Sequence, residues 1–235
     1  MSIINFYKNH HLTESKTFCM APWIHLYSSP SGEAAPCCIA ESCGHGGIGD
    51  TKTQSLMGII NSDAMKNIRK DMLTNKPNSE CKKCYDHEKQ GVMSSRNMLN
   101  KEFTEFYDDC MENTNSDGSL DEFKMRYFDT RFSNICNFKC RSCGPEFSSL
   151  HAKEFIDHKG GQEKLRQYFK MDNMVVSCNE TGDFFDKVKP YLKDTDEVYF
   201  AGGESLITGE HYKMLDEWIA VGNTDIRLTY TTNFS

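Results

Sequence analysis

Eleven cysteines in 235 residues, most of them gathered into two groups, constrain this chain more than any hydrophobic pattern does. One group sits in RFSNICNFKCRSCGPEF, residues 131–147, where Cys136, Cys140 and Cys143 follow a C-x3-C-x2-C spacing. The other is spread through the amino-terminal half as Cys19, the adjacent Cys37 and Cys38, Cys43, and the pair Cys81-x-x-Cys84. The opening MSIINFYKNHHL lacks the apolar centre of a secretory signal, and no run approaches the roughly 18 apolar residues of a membrane span. A cytoplasmic protein is expected, and reducing conditions there keep thiols out of disulfides. An odd, clustered cysteine count then points to metal binding or catalysis.

The rest of the composition is that of an ordinary globular protein, with 38% hydrophobic and 26% charged residues. A net charge of −7 with scattered Lys and Arg gives no basic footprint, so nucleic acid is excluded as an expected partner, and so is a membrane. The length allows one large domain or two smaller ones.

The polar stretch ENTNSDGSLDE, residues 112–122, divides the chain into a cysteine-rich domain over 1–115 and an α/β domain over 122–235. In the first, SDAMKNIRKDML reads as a helix capped by Ser62 or Asp63, with Met65, Ile68, Met72 and Leu73 on one face. KEFTEFYDDCM repeats the pattern and puts Cys110 on an apolar stripe, as a buried structural thiol. In the second, KMRYFDTRF, EVYFAGGES and DIRLTYTTNFS read as strands. Helical patterns stand between them: Phe147, Leu150, His151 and Phe155, then Phe184, Phe185 and Val188 up to Pro190, then EHYKMLDEWIAVG closed by Gly222. Alternating strands and helices imply an α/β fold with a parallel sheet, whose functional residues gather at the carboxyl ends of the strands. Those ends are the cysteine loop, GGE and TTN.

Three thiolates do not complete a tetrahedral metal site. A cubane iron–sulfur cluster held by only three keeps one iron open for a non-protein ligand, whereas a three-thiolate zinc site is the plainer alternative. The spacing resembles the signature of the radical SAM superfamily, in the loop after the first barrel strand, and Ala201 to Glu204 (AGGE) at the end of the next strand extends the resemblance. That resemblance implies a (β/α) barrel whose open iron is chelated by S-adenosylmethionine. Gly202, Gly203 and Glu204 would line the methionine amino group, and Thr232 and Asn233 would contact the same cofactor. One electron from the reduced 4Fe–4S cluster would break the C5′–S bond and yield methionine and a 5′-deoxyadenosyl radical. The family usually has an aromatic residue where this chain has Ser142, and Phe138 is expected to pack over the cluster instead.

The stretch CMAPWIHLYSSPSGEAAPCC and the later C-x2-C resemble the opening and close of a SPASM or twitch accessory domain. The resemblance implies an auxiliary 4Fe–4S cluster held by Cys19, Cys37, Cys81 and Cys84, with Cys38 an alternative to Cys37, and with Pro22 and Trp23 packing beside it. A zinc site on the same four thiolates stays open, because the ligands alone do not choose between them. Cys43 and Cys178 are assigned as thiols without a metal role, and His10-His11 as part of a mobile terminus.

Two departures accompany the resemblance. The accessory module precedes the barrel here, and only three strands are readable between Met125 and Ser235 where the family has six strand–helix units. A shortened product, or a second chain completing the barrel, would account for this. The leading expectation is a radical SAM enzyme acting on an unknown substrate, such as a peptide, with a small flavodoxin- or ferredoxin-type reductase as electron donor. The alternatives are a non-catalytic zinc- or iron–sulfur-binding module, including a truncated remnant of such an enzyme, and a plain electron carrier. No catalytic acid, base or radical relay is picked.

Overall fold

The computed structural model describes residue 8 and residues 10–234. Residues 1–7 and 9 of the opening segment, and Ser235 at the end of the third strand pattern, lie outside the described residues. The chain divides into two compact units: residues 1–27, 34–49 and 54–126, and residues 28–33, 50–53 and 127–235. The polar stretch 112–122 belongs to the first of them.

Among the described residues the first unit is mainly short helices: α1 (Ala21–Ile24), α2 (Leu56–Ile60), α3 (Asp63–Leu73), α4 (Lys82–Lys89), α5 (Ser95–Glu102) and α6 (Tyr107–Glu112). Strands β1 (His25–Ser28), β2 (Glu33–Ala35) and β3 (Gly49–Asp50) have residues in both units. The start of α3 is capped as its sequence predicts, the Ser62 hydroxyl accepting from the Met65 amide at 3.4 Å, and Met65, Ile68 and Met72 are buried. An N-cap of this kind contributes about 1 kcal/mol.

The same helix also buries Arg69, which periodicity alone would have placed among the solvated residues. Its guanidinium is fully inaccessible and donates to the carbonyls of Gly118 (2.6 Å), Pro22 (2.8 Å) and Ile60 (2.5 Å). One cation thus ties the turn at 115–119, α1 and α2 to α3. Three orphan carbonyls would each carry a desolvation cost of about 1–3 kcal/mol without it.

The single helix expected across KEFTEFYDDCM is instead broken. α5 ends at Glu102, Thr104–Phe106 forms a tighter turn, and α6 begins at Tyr107. Thr104 returns its hydroxyl to the Asn100 carbonyl at 2.7 Å, a local bond that competes with helix continuation. Cys110 is buried on α6, as its place on the stripe predicts. His11 is also buried, so it is not part of a loose terminus. Its Nδ1 lies 2.5 Å from the Tyr107 hydroxyl, and its ring stacks on Phe18 at 4.8 Å.

The second unit is built on three parallel strands, β4 (Tyr127–Thr130), β5 (Glu197–Phe200) and β6 (Arg227–Tyr230). β4 pairs with β5 from Tyr127–Glu197 to Thr130–Phe200, and β5 pairs with β6 from Glu197–Arg227 to Phe200–Tyr230. The chain is therefore a mixed α/β protein, as the alternation of patterns implies. Helices α7 (Ser149–Asp157), α8 (Gly161–Phe169), α9 (Phe184–Val188) and α10 (Gly209–Ala220) lie between the strands in sequence. Phe128, Phe132, Phe184, Phe185 and Phe200 form an aromatic core, with Phe132 edge-on to Phe184 at 6.0 Å. Such pairs contribute about 0.5–1.5 kcal/mol beyond burial.

Helix α8 escapes the sequence reading because it begins at Gly160-Gly161, a pair that signals a turn. Its glycine is there for close packing: a Cβ on Gly161 would stand 1.5 Å from the Phe155 carbonyl oxygen. Leu165 of α8 then packs with Ala152 and Met171 in a small satellite core.

Candidate metal centres

In the first unit, residues distant in sequence line one small cavity. Cys19, Cys37, Cys81 and Cys84 border it, together with Ala21, Pro22, Pro36, Ile39, Met72 and Leu99. Cys37, rather than Cys38, is the member of the adjacent pair that does so. Cys81 immediately precedes α4 and Cys84 lies one turn into it, so local helix geometry brings this pair together. Cys19 is delivered by long-range bonds. The Phe18 carbonyl accepts from Arg96 Nη1 at 2.8 Å and from Asn100 Nδ2 at 3.0 Å, while Asn100 Oδ1 accepts from the Met20 amide at 2.9 Å. Arg96 and Asn100 are one turn apart on α5, so a single helix face clamps the backbone on either side of Cys19.

Burial raises three of these thiols, Cys19, Cys37 and Cys81. Cys19 is pushed well up by desolvation and then by the charges of Cys81 and Cys84. Cys37 is raised by desolvation, then by Cys19, Cys38 and Cys81. Cys81 is pushed up to about 12, mainly by burial and then by Cys84, although the Tyr85 hydroxyl donates toward its sulfur. Cys19, Cys37 and Cys81 are therefore protonated at neutral pH, and metal binding would have to displace those protons.

Residues 19–85 match the SPASM family, an iron–sulfur cluster-binding domain. The match runs from Cys19 to the residue after Cys84, and so takes in all four thiols of the cavity. No curated protein and no solved structure matches the chain. Among the described residues of this SPASM segment and of the rest of the chain, no three His, Cys, Asp or Glu side chains are placed to hold one metal ion. A cubane binds each thiolate through a different iron, so its ligands surround a volume instead of meeting at a point. Four thiols around an apolar cavity fit that donor requirement.

The three loop cysteines, GGE and TTN lie outside the segment that matches SPASM, at the carboxyl edge of the second unit. Because β4, β5 and β6 are parallel and in register, the residues that follow them emerge on the same side. Cys140 is exposed and Cys136 and Cys143 are partly so. Cys143 is raised first by burial, and the charges of Cys136 and Cys140 also raise it, which places the three thiols in one another's field. Asn134, fully buried, organises the base of the loop: its Nδ2 donates to the carbonyls of Pro145 and Met174, both at 2.9 Å, and its Oδ1 accepts from the Val176 amide at 3.0 Å. The Ser149 hydroxyl accepts from the Cys136 amide at 3.3 Å.

Glycine at 203 is obligatory. Its φ is +60°, and a Cβ would sit 2.4 Å from the Ile135 carbonyl oxygen and 2.8 Å from that of Ser133. This contact lets the GGE segment lie directly on the cysteine loop, where the Glu204 amide donates to Ile135 O at 2.7 Å. The Glu204 carboxylate is almost wholly buried and accepts from the Thr232 hydroxyl at 2.7 Å, the Asn233 amide at 2.7 Å and the Leu206 amide at 3.2 Å. Asn233 Nδ2 in turn donates to Asn137 Oδ1 at 3.0 Å and points at Cys136 Sγ at 3.9 Å. Glu204, Thr232, Asn233 and Cys136, chosen separately from three strand ends, thus belong to one hydrogen-bonded set.

Some expectations change. Phe138 is 46% exposed and does not serve as a packed lid over the loop. His151, on α7, instead holds the loop from outside, its Nε2 3.0 Å from the Cys140 carbonyl. Trp23 packs on Phe18 at 5.1 Å, and its indole N–H donates to Thr114 at 2.9 Å. Arg96, Asn100, Tyr85 and Asn134 were not legible as site residues. The one local signal near them is Ser94-x-x-Asn97, a reciprocal cap that announces a helix just behind the C-x2-C pair.

Proposed function

We propose that this chain is a radical SAM enzyme carrying an auxiliary cluster in its SPASM segment. SPASM domains occur in radical SAM enzymes, and the amino-terminal match supports iron–sulfur binding. The observation that carries the catalytic half of the reading is the hydrogen-bonded set Glu204–Thr232–Asn233–Cys136, which unites the GGE and TTN strand ends with a three-cysteine loop. In this reading Cys136, Cys140 and Cys143 hold a 4Fe–4S cluster with one open iron. Gly202, Gly203, Glu204, Thr232 and Asn233 form the adjoining wall for S-adenosylmethionine. When bound, these two groups supply one-electron cleavage of the sulfonium and a carbon radical for hydrogen abstraction.

The chain's own residues contribute position. Gly203 allows backbone to approach backbone without a side chain between. Glu204 spends its carboxylate on the TTN turn, so its part in cofactor binding is to shape that wall. Asn233 directs an amide toward the first cysteine of the loop. The parallel strands would be part of a (β/α) barrel. A flavodoxin- or ferredoxin-type reductase would supply electrons, and a peptide is the proposed substrate class.

Anaerobic reconstitution with iron and sulfide tests the reading. Two cubanes give about eight irons per chain. Adding S-adenosylmethionine is expected to change the electron paramagnetic resonance signal of the reduced loop cluster, and dithionite then to yield 5′-deoxyadenosine. Stoichiometric zinc, with no such spectral change and no such product, would overturn it in favour of a non-catalytic binding module.

A further inference from the structure

One buried charge in the first unit is not accounted for by ligation. Arg96 is 4% exposed and borders the cysteine cavity. Its Nε and Nη2 make a two-pronged contact with Glu88, at 2.9 and 2.6 Å, and Nη1 donates to the carbonyls of Ser15 and Phe18 at 3.1 and 2.8 Å. The guanidinium is thus locked in orientation, as a charge used for its field has to be.

Arg96 also borders a second, larger cavity of about 740 Å3, on the side where Lys16, Tyr85, Glu88 and Met93 lie. Glu88 borders only that second cavity. Of the ion pair, Arg96 is thus the member that borders the four thiols, whereas Glu88 does not. The carboxylate residue that does border the cysteine cavity is Glu80, which accepts from the Ser42 amide at 2.9 Å. The charge of Arg96 acts favourably on ionised Cys19 and Cys81.

We infer that Arg96, oriented by Glu88, is a positioning residue whose fixed positive charge sets the reduction potential of the cluster held by Cys19, Cys37, Cys81 and Cys84. The inference rests on the reading of that cavity as an iron–sulfur site. Reduction adds an electron to an already anionic group, and a nearby cation in a low-dielectric pocket favours the reduced form. Glu88 opposes this from farther away, so the two residues pull the potential in opposite directions.

The test uses the full chain with the loop ligands changed to alanine, reconstituted so that iron resides in the SPASM segment alone. The midpoint potential is read by redox titration of the electron paramagnetic resonance signal. Arg96→Met is expected to lower the potential by at least about tenfold in the reduction equilibrium, which is 59 mV for one electron. Glu88→Gln is expected to raise it, and Arg96→Lys, which keeps the charge, to stay near the parent value. Opposite signs for the Met and Gln variants are what a purely structural clamp does not produce. Loaded variants with an unchanged potential, or shifts of the same sign, would overturn the inference while leaving the cluster reading intact. Failure of the parent itself to take up iron would overturn the cluster reading and the inference with it. Should Arg96→Met fail to load, the Glu88→Gln and Arg96→Lys pair still decides the sign.

Discussion

The two cysteine groups solve the same ligand problem in opposite environments. In the SPASM-matching segment four thiols border an apolar cavity, and the raised proton affinities of Cys19, Cys37 and Cys81 follow mainly from burial. In the second unit three thiols stand in a partly exposed loop, backed by amides, hydroxyls and a buried carboxylate. If its four thiols hold a metal group, a closed site of this kind suits electron storage or structure, because nothing else needs to reach the metal. An open, three-thiolate site beside a glycine-lined wall suits a ligand that must enter and leave. What separates them is access, and access is set by packing more than by the number of cysteines.

The largest effect expected from this contrast is in metal content. On the proposed two-cluster reading, Cys84→Ala should remove about four of a total of about eight irons and leave those of the loop. Cys140→Ala should do the reverse. Iron and sulfide analysis of each variant checks this, and loss of all iron from either one would break the picture of two independent sites.

Next comes the scaffold of the first unit. Arg69→Met strips three buried carbonyls of their donor, and a loss of about 3–5 kcal/mol is expected. Denaturant unfolding followed by Trp23 fluorescence measures it, and a cost under about 1 kcal/mol would show that water replaces the guanidinium.

Gly203→Ala sharpens the other side. Its Cβ meets two carbonyls at less than 3 Å in a left-handed backbone, so a cost of about 2–4 kcal/mol is expected. Amide exchange should quicken through 133–137 and 201–206 and stay unchanged in the SPASM segment.

The smallest effect is in pH dependence. Burial acts to raise the Glu88 carboxyl, but hydrogen bonds from Arg96 and Ser94 outweigh it and hold the group below its usual value near 4.5. The unfolded chain then binds the proton more tightly than the native one. This contribution to stability is complete above the unfolded value and is lost as pH falls through the folded value. Glu88→Gln should flatten that acid limb in a denaturation series, and an unaltered limb would remove Glu88 from the account.

Much of the second unit was legible because its signals are local. A strand, a cysteine triad and a glycine pair each fit within a few residues, and parallel alternation predicts that their ends share an edge. Glu204 and Asn233 were legible as candidates at two strand ends, whereas the bonds joining them to Thr232 and Cys136 were not. The helix opening at Gly160-Gly161 was missed because a glycine needed for close packing looks the same in sequence as one needed for a turn. His11 was misplaced for a related reason: a histidine near a chain end gives no local sign of the aromatic neighbours, Phe18 and Tyr107, that bury it.

By itself the sequence determined the kind of side chains available: cysteines in two clustered sets, one of them of three, and strands and helices in alternation. Such information is carried by residue type and by spacings of two to four residues, which backbone geometry converts directly into shared faces. The tertiary structure alone decided that Cys37 and not Cys38 borders the cavity with Cys19, Cys81 and Cys84. It alone drew Arg96 to their side and turned Arg69 inward. Those outcomes depend on closing loops of tens of residues, and the hydrogen bonds that close them, from Arg96 to Phe18 or from Arg69 to Gly118, leave no periodic trace in the chain.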